Sequence, residues 1–222
     1  MSEIVVNKDP REEKMSIAEG IRKRLKERDI LAVNLISSPG SGKTTLLEKI
    51  LPVLAEEFRL AVIEADTATR RDADRLEAAG VTVSMIANKI TGCHISPAAG
   101  KTGYDALALD HLDLIVIENV GNLVCPSDVD LGEDYKVAMV SIAEGEDKPL
   151  KYPLLFQKAS LALVNKIDAA EALGADTDLL AENIIAVHPG IPVIRLSART
   201  GENLDALITW IRDRVREKKN AF

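Results

Sequence analysis

The sequence predicts an α/β fold built on a doubly wound, mainly parallel β-sheet. Short apolar runs recur along the chain, and segments with helical periodicity lie between most of them. The apolar runs are continuous instead of alternating with polar residues, which is typical of parallel strands covered by helices on both faces. The 222 residues contain no recognisable linker or repeat, so a single domain spanning residues 1–222 is expected.

The order of these segments predicts six strands and six helices. The strands are predicted at Ile30–Ile36, Leu60–Ala65, Val81–Ile86, Leu112–Ile117, Ser160–Val164 and Pro192–Leu196. The helices are predicted at Arg11–Arg28, Thr44–Glu57, Arg70–Ala79, Ser96–Ala108, Asp176–Val187 and Asn203–Lys219. Residues 1–28 are therefore expected to form a flexible start and an N-terminal helix. Two long stretches, Asn119–Asp134 and Ala143–Gln157, are predicted to be irregular, and such segments in compact domains are often functional.

Charge and composition limit the partners and the location of the protein. The net charge of −7 disfavours non-specific binding to nucleic acid or to anionic membranes. No apolar run approaches the roughly 20 residues that span a bilayer, and the first residues contain no apolar signal core. We therefore expect a cytoplasmic protein that binds neither nucleic acid nor membrane. In that reducing compartment, Cys93 and Cys125 are expected to be free thiols or metal ligands instead of a disulfide.

A glycine-rich turn, Ser37-Ser-Pro-Gly-Ser-Gly-Lys-Thr44, follows the first predicted strand. It matches the phosphate-binding pattern G-x-x-x-x-G-K-[ST], except that Ser37 replaces the first glycine. Gly40 and Gly42 let several backbone N–H groups face one anion, and the next helix adds the positive end of its dipole. Lys43 is expected to reach the β- and γ-phosphates, and the Thr44 hydroxyl to bind Mg²⁺. The predicted nucleotide-binding residues of this turn are Ser38, Pro39, Gly40, Ser41, Gly42, Lys43, Thr44 and Thr45.

Two acids at strand ends are candidates for the Mg²⁺ site. Glu118 begins Glu118-Asn-Val-Gly121, which resembles the D-x-x-G switch segment of GTPases with Glu in place of Asp. Asp66 follows the strand Leu60–Ala65 and is a second candidate, either for Mg²⁺ or for orienting the attacking water. For both acids, a solvated loop residue or a helix cap is the alternative. The residues predicted to be catalytic are Lys43, Thr44, Asp66 and Glu118, and Gly121 joins the nucleotide-binding set.

The tetrapeptide Asn165-Lys-Ile-Asp168 follows an apolar strand and matches the N-K-x-D pattern of GTPases. A carboxylate such as Asp168 can accept two hydrogen bonds from guanine N1–H and N2–H₂, a donor pair that adenine lacks. Asn165 can bond the base edge, and the stem of Lys166 can cover the ring. Ser197 and Ala198 open a loop that resembles the S-A-K loop near guanine O6. We therefore expect a preference for GTP over ATP.

Cys93, His94 and Cys125 supply thiolate and imidazole groups, which suit Zn²⁺ and other late transition metals. Three protein ligands leave one tetrahedral position for water or for a ligand from another chain. Two buried cysteines acting as small hydrophobic residues are the alternative. Cys125 lies in the same predicted loop as Glu118, so a metal there could respond to the nucleotide.

The motifs SSPGSGKT, GCH, ENVGNLVCP and NKID occur in this order, and together they resemble the HypB family of GTPases, which assist nickel insertion into [NiFe]-hydrogenase. The resemblance implies a P-loop NTPase of the nucleotide-dependent dimerising class, with GTP or GDP, Mg²⁺ and Ni²⁺ or Zn²⁺ as cofactors. Cys93, His94 and Cys125 would then form the Ni²⁺ or Zn²⁺ site at or near the dimer interface. The implied partners are a second copy in a GTP-dependent homodimer, other hydrogenase maturation proteins and the hydrogenase large subunit.

The same resemblance implies that Glu144–Tyr152 is a mobile switch and that Lys148 reaches nucleotide across the dimer, with a solvated lysine as the alternative. Relatives in this class often carry an additional lysine where this chain has Ser38, so hydrolysis is expected to be slow or to need another group. Two other functions stay open. One is a GTPase similar to UreG that serves a different nickel enzyme, although adjacent Cys93 and His94 differ from the Cys-Pro-His motif of UreG. The other is a regulatory GTPase with a structural zinc site.

Overall fold

A computed structural model describes residues 9–65, 71–86 and 92–220, and a parallel sheet lies at its centre. The strands are β1 Leu31–Ser37, β2 Leu60–Glu64, β3 Thr82–Met85, β4 Leu114–Glu118, β5 Tyr135–Ser141, β6 Leu161–Asn165 and β7 Val193–Arg195. Their order is β3-β2-β4-β1-β5-β6-β7, and every neighbouring pair is parallel. The predicted doubly wound α/β fold is confirmed. The chain continues to one side of β1 and later to the other, and ligands bind outside the carboxyl ends of strands at such a switch point.

Helices cover both faces of this sheet. In the described part of the chain they are α1 Pro10–Lys26, α2 Lys43–Ala55, α3 Arg71–Ala78, α4 Pro97–Asp105, α5 Lys148–Lys151, α6 Pro153–Lys158, α7 Ala170–Leu173, α8 Thr177–Val187 and α9 Leu204–Asn220. The predicted long helices agree with these bounds to within a few residues. None of the helices in the described ranges is both long enough and apolar enough to span a bilayer.

The core consists of apolar layers on the two faces of the sheet. On β1, Leu31, Val33 and Leu35 pack with leucines and isoleucines of α2 and α9. Ala32 points to the opposite face and packs with α1 and α4, while Ile36 packs with α6 and α8. This alternation follows from the two-residue period of a strand. Because both faces are covered, the strands carry continuous apolar runs, which is the pattern that predicts them.

The N-terminal helix α1 has sequence signals at both of its ends. The Asp9 carboxylate accepts a hydrogen bond from the Arg11 N–H, and Pro10 occupies the first helical position, where its missing N–H costs nothing. At the other end, Lys23, Arg24 and Lys26 place positive charge in the last turn, which complements the helix dipole. The buried face of α1 carries Ala18, Ile21 and Leu25, whose spacing of three and four residues produces one apolar stripe. The predicted N-terminal helix is confirmed, and it packs on α4.

Two parts of the sequence-based assignment are wrong. The strand β5 is absent from the prediction, although it pairs with β1 and β6 and lies next to the centre of the sheet. Its Ala and Met residues fit a helix as well as a strand, and its first residues are polar, so local pattern does not identify it. The stretch Ala143–Gln157 is not irregular either, because α5 and α6 occupy most of it. Prolines at the start of both short helices hide their periodicity.

Candidate nucleotide and metal site

The phosphate loop joins β1 to α2 at the carboxyl edge of the sheet, beside a cleft of about 550 Å³. Ser37, in place of the usual glycine, is the last residue of β1 and therefore extended, a conformation that any residue adopts. Gly40 and Gly42 have φ values of 73° and 100°, which only glycine adopts without strain. A Cβ atom at Gly42 would also lie 2.7 Å from Asn165 Nδ2. Glycine at this position is therefore required by backbone conformation and by close packing.

Lys43, Thr44 and Glu118 meet at the floor of this cleft. The Thr44 hydroxyl donates to Glu118 Oε1 over 2.6 Å, so the start of α2 is bonded to the end of β4. Lys43 Nζ donates to Ser37 Oγ over 3.1 Å. Burial lowers the pKa of Lys43, and the nearby carboxylates of Glu118 and Asp72 oppose that shift. The structure thus brings together three of the four residues predicted to be catalytic. Asp66, the fourth, lies outside the described residues, so its role stays a prediction.

Glu118 fits a Mg²⁺ site chemically. Burial raises the pKa of its carboxyl group, while the Thr44 hydrogen bond and the charge of Lys43 oppose the shift. Its second oxygen, Oε2, is buried and has no hydrogen-bond partner. A buried carboxylate oxygen without a partner is unfavourable unless a cation or a proton compensates it. Because carboxylate and hydroxyl oxygens are the ligands that Mg²⁺ prefers, Glu118 and Thr44 are suited to hold this ion.

The segment after Glu118 runs directly over the phosphate loop. A Cβ atom at Gly121 would lie 2.8 Å from Pro39 Cα and 2.9 Å from Pro39 N, which are backbone atoms that cannot move aside easily. The glycine therefore permits a backbone-to-backbone contact between the predicted switch segment and the loop that holds the phosphates. A change in one of these segments must displace the other, as expected of a segment that senses the γ-phosphate.

Two side chains of the N-K-x-D segment donate hydrogen bonds to the phosphate loop. Asn165 Nδ2 donates to the Ser41 carbonyl over 2.7 Å, and Asn165 Oδ1 accepts from the Ala198 N–H over 2.9 Å. Lys166 has a left-handed φ of 63°, and its Nζ donates to the Gly40 carbonyl over 2.7 Å. The Asn165 amide is buried between two loops and joins them. Its contact with the base edge stays a prediction. Lys166 lines the cleft, in agreement with its predicted position beside a bound nucleotide.

Asp168 lies next to these residues and is held by the loop that follows β7. The Ser197 hydroxyl donates to Asp168 Oδ1 over 2.5 Å, and Arg199 Nε approaches Oδ2 at 3.1 Å. Most of the Arg199 side chain is exposed, so its contact with Asp168 is easily exchanged. The structure therefore brings Asp168, which follows β6, together with Ser197 and Ala198, which follow β7. The binding of guanine by these residues stays a prediction.

The phosphate loop has another carboxylate neighbour that the sequence analysis missed. Glu144, in a short 3₁₀ turn after β5, accepts from the Ser41 hydroxyl over 2.7 Å and from the Ser141 N–H over 2.9 Å. Its other oxygen lies 4.0 Å from Lys148 Nζ. Lys148, at the start of α5, is therefore connected to the phosphate loop of its own protomer through the Glu144 side chain. The contact of Lys148 with a nucleotide stays a prediction.

Three charged residues that no sequence motif identifies also line the cleft: Glu64, Asp72 and Arg75. Arg75 donates to Glu48 over 2.7 and 2.6 Å and to Thr45 Oγ1 over 3.3 Å, and so connects α3 to α2. Asp72 and Arg75 belong to the charged run that contains Asp66. That run signals a functional segment, but only the tertiary contact of α3 with α2 shows which of its charges face the cleft.

Cys93, His94 and Cys125 come together although Cys125 is distant in sequence. Their ligand atoms all lie within 4.8 Å of one another. The Asn122 side chain joins the two segments, since it donates to the Cys93 carbonyl over 3.1 Å and accepts from the Val124 N–H over 2.8 Å. These contacts place a thiol–imidazole cluster at the tip of the loop that follows Glu118.

The prediction that these cysteines are free thiols or metal ligands differs from the structure, in which Cys93 and Cys125 form a disulfide. Their Cα atoms are 6.1 Å apart, a separation that a disulfide can bridge. Two sulfurs that are close enough to share a metal are also close enough to bond to each other. Only the reduced thiolates can ligate a metal, so the metal-binding role requires this bond to be open.

Comparison with known proteins supports the assignment of the cleft. The chain matches the family model described as CobW/HypB/UreG, nucleotide-binding domain, over residues 31–195. The hydrogenase maturation factor HypB of Escherichia coli (strain K12) is 45% identical over 195 residues, covering 88% of this chain and 67% of that protein. HypB of Azotobacter vinelandii is 46% identical over 192 residues, covering 86% of this chain and 62% of that protein. This chain thus spans about two thirds of the length of these relatives.

A solved structure agrees with the whole domain. The crystal structure of HypB from Helicobacter pylori in complex with nickel has a TM-score of 0.85 to this chain at 33% sequence identity. The match covers 92% of this chain and 96% of that chain. Fold, phosphate loop and family model therefore agree, and the match covers far more than half of the sequence. The chain belongs to the CobW/HypB/UreG family of nucleotide-binding proteins.

Proposed function

We propose that this protein is a GTPase that delivers nickel during the maturation of [NiFe]-hydrogenase. In this proposal, GTP binds in the cleft beside the phosphate loop, and Cys93, His94 and Cys125 hold the metal in their reduced state. Hydrolysis changes the loop that joins the two sites and lowers its affinity for the metal, which then passes to the client. Nickel is cargo in this scheme, whereas Mg²⁺ is a resident cofactor held by Thr44 and Glu118.

One observation carries the proposal: the nucleotide and metal sites share a single loop. The loop begins at Glu118, which is bonded to Thr44 of the phosphate loop. It crosses Pro39 at Gly121 and reaches Cys125, whose sulfur lies in one cluster with the ligand atoms of Cys93 and His94. A conformational change that the γ-phosphate causes at Glu118 can therefore reach Cys125 through a short stretch of the same chain. By thermodynamic linkage, the metal and the nucleotide must then alter each other's affinity.

The chain's own residues supply what phosphoryl transfer needs, which is positioning and charge neutralisation. Lys43 and the backbone N–H groups of the loop would face the phosphate oxygens of bound GTP, and Mg²⁺ held by Thr44 and Glu118 would neutralise the charge that develops on them. The water oxygen bonds to the γ-phosphorus as the bond from that phosphorus to the β–γ bridging oxygen breaks, so the products are GDP and inorganic phosphate. Asp168 is positioned to select guanine, because Ser197 fixes one of its oxygens.

The partners are inferred from the names of similar proteins and from the chemistry of the metal cluster. The E. coli and A. vinelandii relatives are hydrogenase maturation factors, and the H. pylori relative was crystallised with nickel. Three protein ligands leave a tetrahedral site incomplete, so a second copy of the chain is suited to complete it. We accordingly propose a GTP-dependent homodimer that works with other maturation proteins and with the hydrogenase large subunit in the cytoplasm.

The test is a Ni²⁺ titration of the full chain under reducing conditions, with Mg²⁺ and either GDP or a non-hydrolysable GTP analogue. We expect the two nucleotide states to differ in nickel affinity by about fivefold or more. Cys93→Ala, His94→Ala and Cys125→Ala should each weaken nickel binding by at least about tenfold. The affinity of each variant for GDP should stay within about twofold of the parent, because none of the three belongs to the described lining of the cleft.

His111→Ala is the matched control, because His111 is exposed and lies outside the cluster. It should leave both affinities unchanged. A parent protein that binds neither GDP nor GTP at millimolar concentration would overturn the assignment of the cleft. Equal nickel affinity in the two nucleotide states would overturn the delivery role and would favour a structural metal site.

A further inference from the structure

The central strand β1 carries a polar side chain where its neighbours on the same face are apolar. Asn34 is fully buried, and it lies between Ala32 and Ile36, which belong to two apolar clusters. An amide that is buried without hydrogen bonds loses its contacts with water and gains none in return, which is unfavourable. Asn34 is therefore expected to have partners, and its partners define its role.

Asn34 bonds both ends of the loop that connects β4 to β5. Its Oδ1 accepts from Asn119 Nδ2 over 3.0 Å, and its Nδ2 donates to Glu133 Oε1 over 3.1 Å. Asn119 and Glu133 are themselves almost completely buried. The first residue of the loop and one of its last residues are thus held by the same amide group. Backbone hydrogen bonds also hold both ends of the loop on β1, and the Asn34 amide adds a buried side-chain connection between these two ends.

The side chains of Asn119, Asn34 and Glu133 form a hydrogen-bonded bridge, and its Asn119 end lies at the nucleotide site. Asn119 directly follows Glu118, and its Oδ1 accepts from the Val120 N–H over 2.9 Å. The next residue, Gly121, contacts the backbone of Pro39 in the phosphate loop. A movement of the segment 119–121 towards or away from the phosphates therefore pulls on the Asn119 side chain and, through it, on Asn34.

The other end of the bridge is connected through Lys136 to the turn that carries Cys125. Glu133 Oε2 accepts from the Leu131 N–H over 2.6 Å, and Glu133 Oε1 lies 3.7 Å from Lys136 Nζ. Lys136 is the register neighbour of Asn34 on β5, and its Nζ donates to the carbonyls of Ser127 and Val129 over 2.9 and 2.8 Å. Ser127 belongs to the 3₁₀ turn Cys125–Asp128. The bridge thus ends on the backbone of the turn that holds a metal ligand.

We propose that Asn34 is a positioning residue that couples the two sites, with Asn119 and Glu133 as its two arms. This inference rests on the proposed function and specifies the route through which nucleotide state reaches the metal cluster. The covalent loop alone is irregular and can absorb a displacement at Gly121 without moving Cys125. A buried amide that holds both ends of the loop limits this freedom, because a shift at either end costs a hydrogen bond in the core. The loop then moves as a unit between two arrangements.

The test is the ratio of the nickel dissociation constants measured with GDP and with the non-hydrolysable GTP analogue, in the reduced full chain with Mg²⁺. Asn34→Leu keeps the size of the side chain and removes both hydrogen bonds. Asn119→Ala removes only the arm towards the nucleotide. We expect each variant to bring the ratio from about fivefold or more in the parent to below about twofold. Nickel binding itself should persist, because Cys93, His94 and Cys125 are unchanged.

Ser84→Ala is the matched control. Ser84 is also a buried polar residue of the sheet, and its hydroxyl donates to the Gly103 carbonyl over 3.1 Å, outside the bridge. A loss of stability alone should affect the control and the bridge variants alike. Only Asn34→Leu and Asn119→Ala should lower the ratio of the nickel dissociation constants to below about twofold. If Asn34→Leu does not fold, Asn119→Ala decides the question.

The outcomes separate this inference from the proposed function. A parent ratio of about one overturns both. A parent ratio of fivefold or more that persists in Asn34→Leu, or in Asn119→Ala where only this variant folds, overturns the coupling role of Asn34 and leaves the proposed function intact. A ratio that falls below about twofold in Asn34→Leu and Asn119→Ala, but keeps the parent value in Ser84→Ala, supports the role assigned to Asn34.

Discussion

At the scale of single residues, polar side chains at this site hold the loops in place as well as facing the ligand. Asn165 joins the phosphate loop to the loop after β7, and Asn122 joins the two cysteine segments. The identities of Lys43, Thr44 and Asp168 can be assigned from short motifs, because their chemistry needs neighbours that are adjacent in sequence. The roles of Asn122 and Glu144 depend on contacts with distant segments, and no local pattern reveals them.

The first prediction concerns the choice of base. The Asp168 carboxylate is proposed to accept hydrogen bonds from guanine N1–H and N2–H₂. In Asp168→Asn, an amide N–H donor replaces one of its oxygens and would face a donor of the base. The loop should be preserved, since the amide oxygen can still accept from the Ser197 hydroxyl. We expect GDP affinity to fall by about 100-fold or more, and affinity for xanthosine diphosphate, which has a carbonyl at position 2, to rise. Competition against a fluorescent nucleotide measures both.

Asp178→Asn serves as the control for that experiment, because this carboxylate lies on α8 and most of its surface is exposed. It should bind both nucleotides as the parent does. Unchanged GDP affinity in Asp168→Asn would show that the base is not read by this carboxylate.

At the scale of elements, the helix α1 contacts the two segments that flank the cluster of Cys93, His94 and Cys125. Arg24 pairs with Asp105 of α4 over 2.6 Å, and Arg22 pairs with Asp130 of the β4–β5 loop over 2.7 Å. The side chains of both pairs are between 37% and 51% exposed. Solvent therefore screens their charges, and each pair is worth about 1 kcal/mol or less. The apolar face of α1 contributes more, since fully burying a leucine or isoleucine contributes about 1.5–3 kcal/mol. Packing, more than ion pairing, therefore holds α1 in place.

The second prediction follows from two glycines at this helix. Gly20 lies inside α1, where an added Cβ atom would meet no other atom within 4 Å, whereas a Cβ at Gly132 would lie 2.6 Å from Ile21 Cγ2 at a φ of +80°. Gly20→Ala should raise the free energy of unfolding by about 0.5–1 kcal/mol, because alanine loses less backbone entropy in a helix. Gly132→Ala should lower it by more than about 1 kcal/mol. Urea denaturation measures both, and a destabilising Gly20→Ala would contradict the position assigned to this residue on the helix.

At the scale of the whole molecule, the two ends of the sheet differ. Ion pairs connect the elements at the amino ends of the strands, and the cleft lies at their carboxyl ends. Asp113 immediately precedes β4, and its carboxylate accepts from the Arg59 guanidinium and backbone N–H at 2.8 Å and from Lys219 of α9 at 2.8 Å. It therefore connects β2, β4 and the last helix at the edge opposite the cleft. The hydrogen bonds from Arg59 hold the pKa of the Asp113 carboxyl well below its usual range.

The third prediction is the pH dependence that follows from this lowered pKa. The ionised form of Asp113 is favoured in the folded state, so its contribution to stability is complete above its ordinary pKa of 3.8 and is lost as the pH falls towards the folded-state value. Asp113→Asn should lower the free energy of unfolding by about 1–3 kcal/mol at pH 7. The difference from the parent should shrink below about pH 4. Urea midpoints at pH 7, 4 and 3 measure this trend.

Asp110→Asn is the control at this scale, because Asp110 is mostly exposed and pairs with Arg28 at the surface. It should change stability by about 1 kcal/mol or less. A difference between Asp113→Asn and the parent that stays constant from pH 7 to 3 would contradict the role of the carboxylate charge.

The sequence by itself determined the parallel α/β fold, the phosphate loop, the N-K-x-D segment and the cysteine–histidine candidates. Each of these depends on residues close together in the chain, where backbone conformation, side-chain chemistry and apolar period act locally. The tertiary structure decided what depends on strand order and register. It added β5 beside the central strand, brought Glu144 to the phosphate loop and Arg75 to the cleft, and paired Cys93 with Cys125. It also placed Asn34 between Asn119 and Glu133, because two strands that are separate in sequence flank β1 only after the sheet has formed.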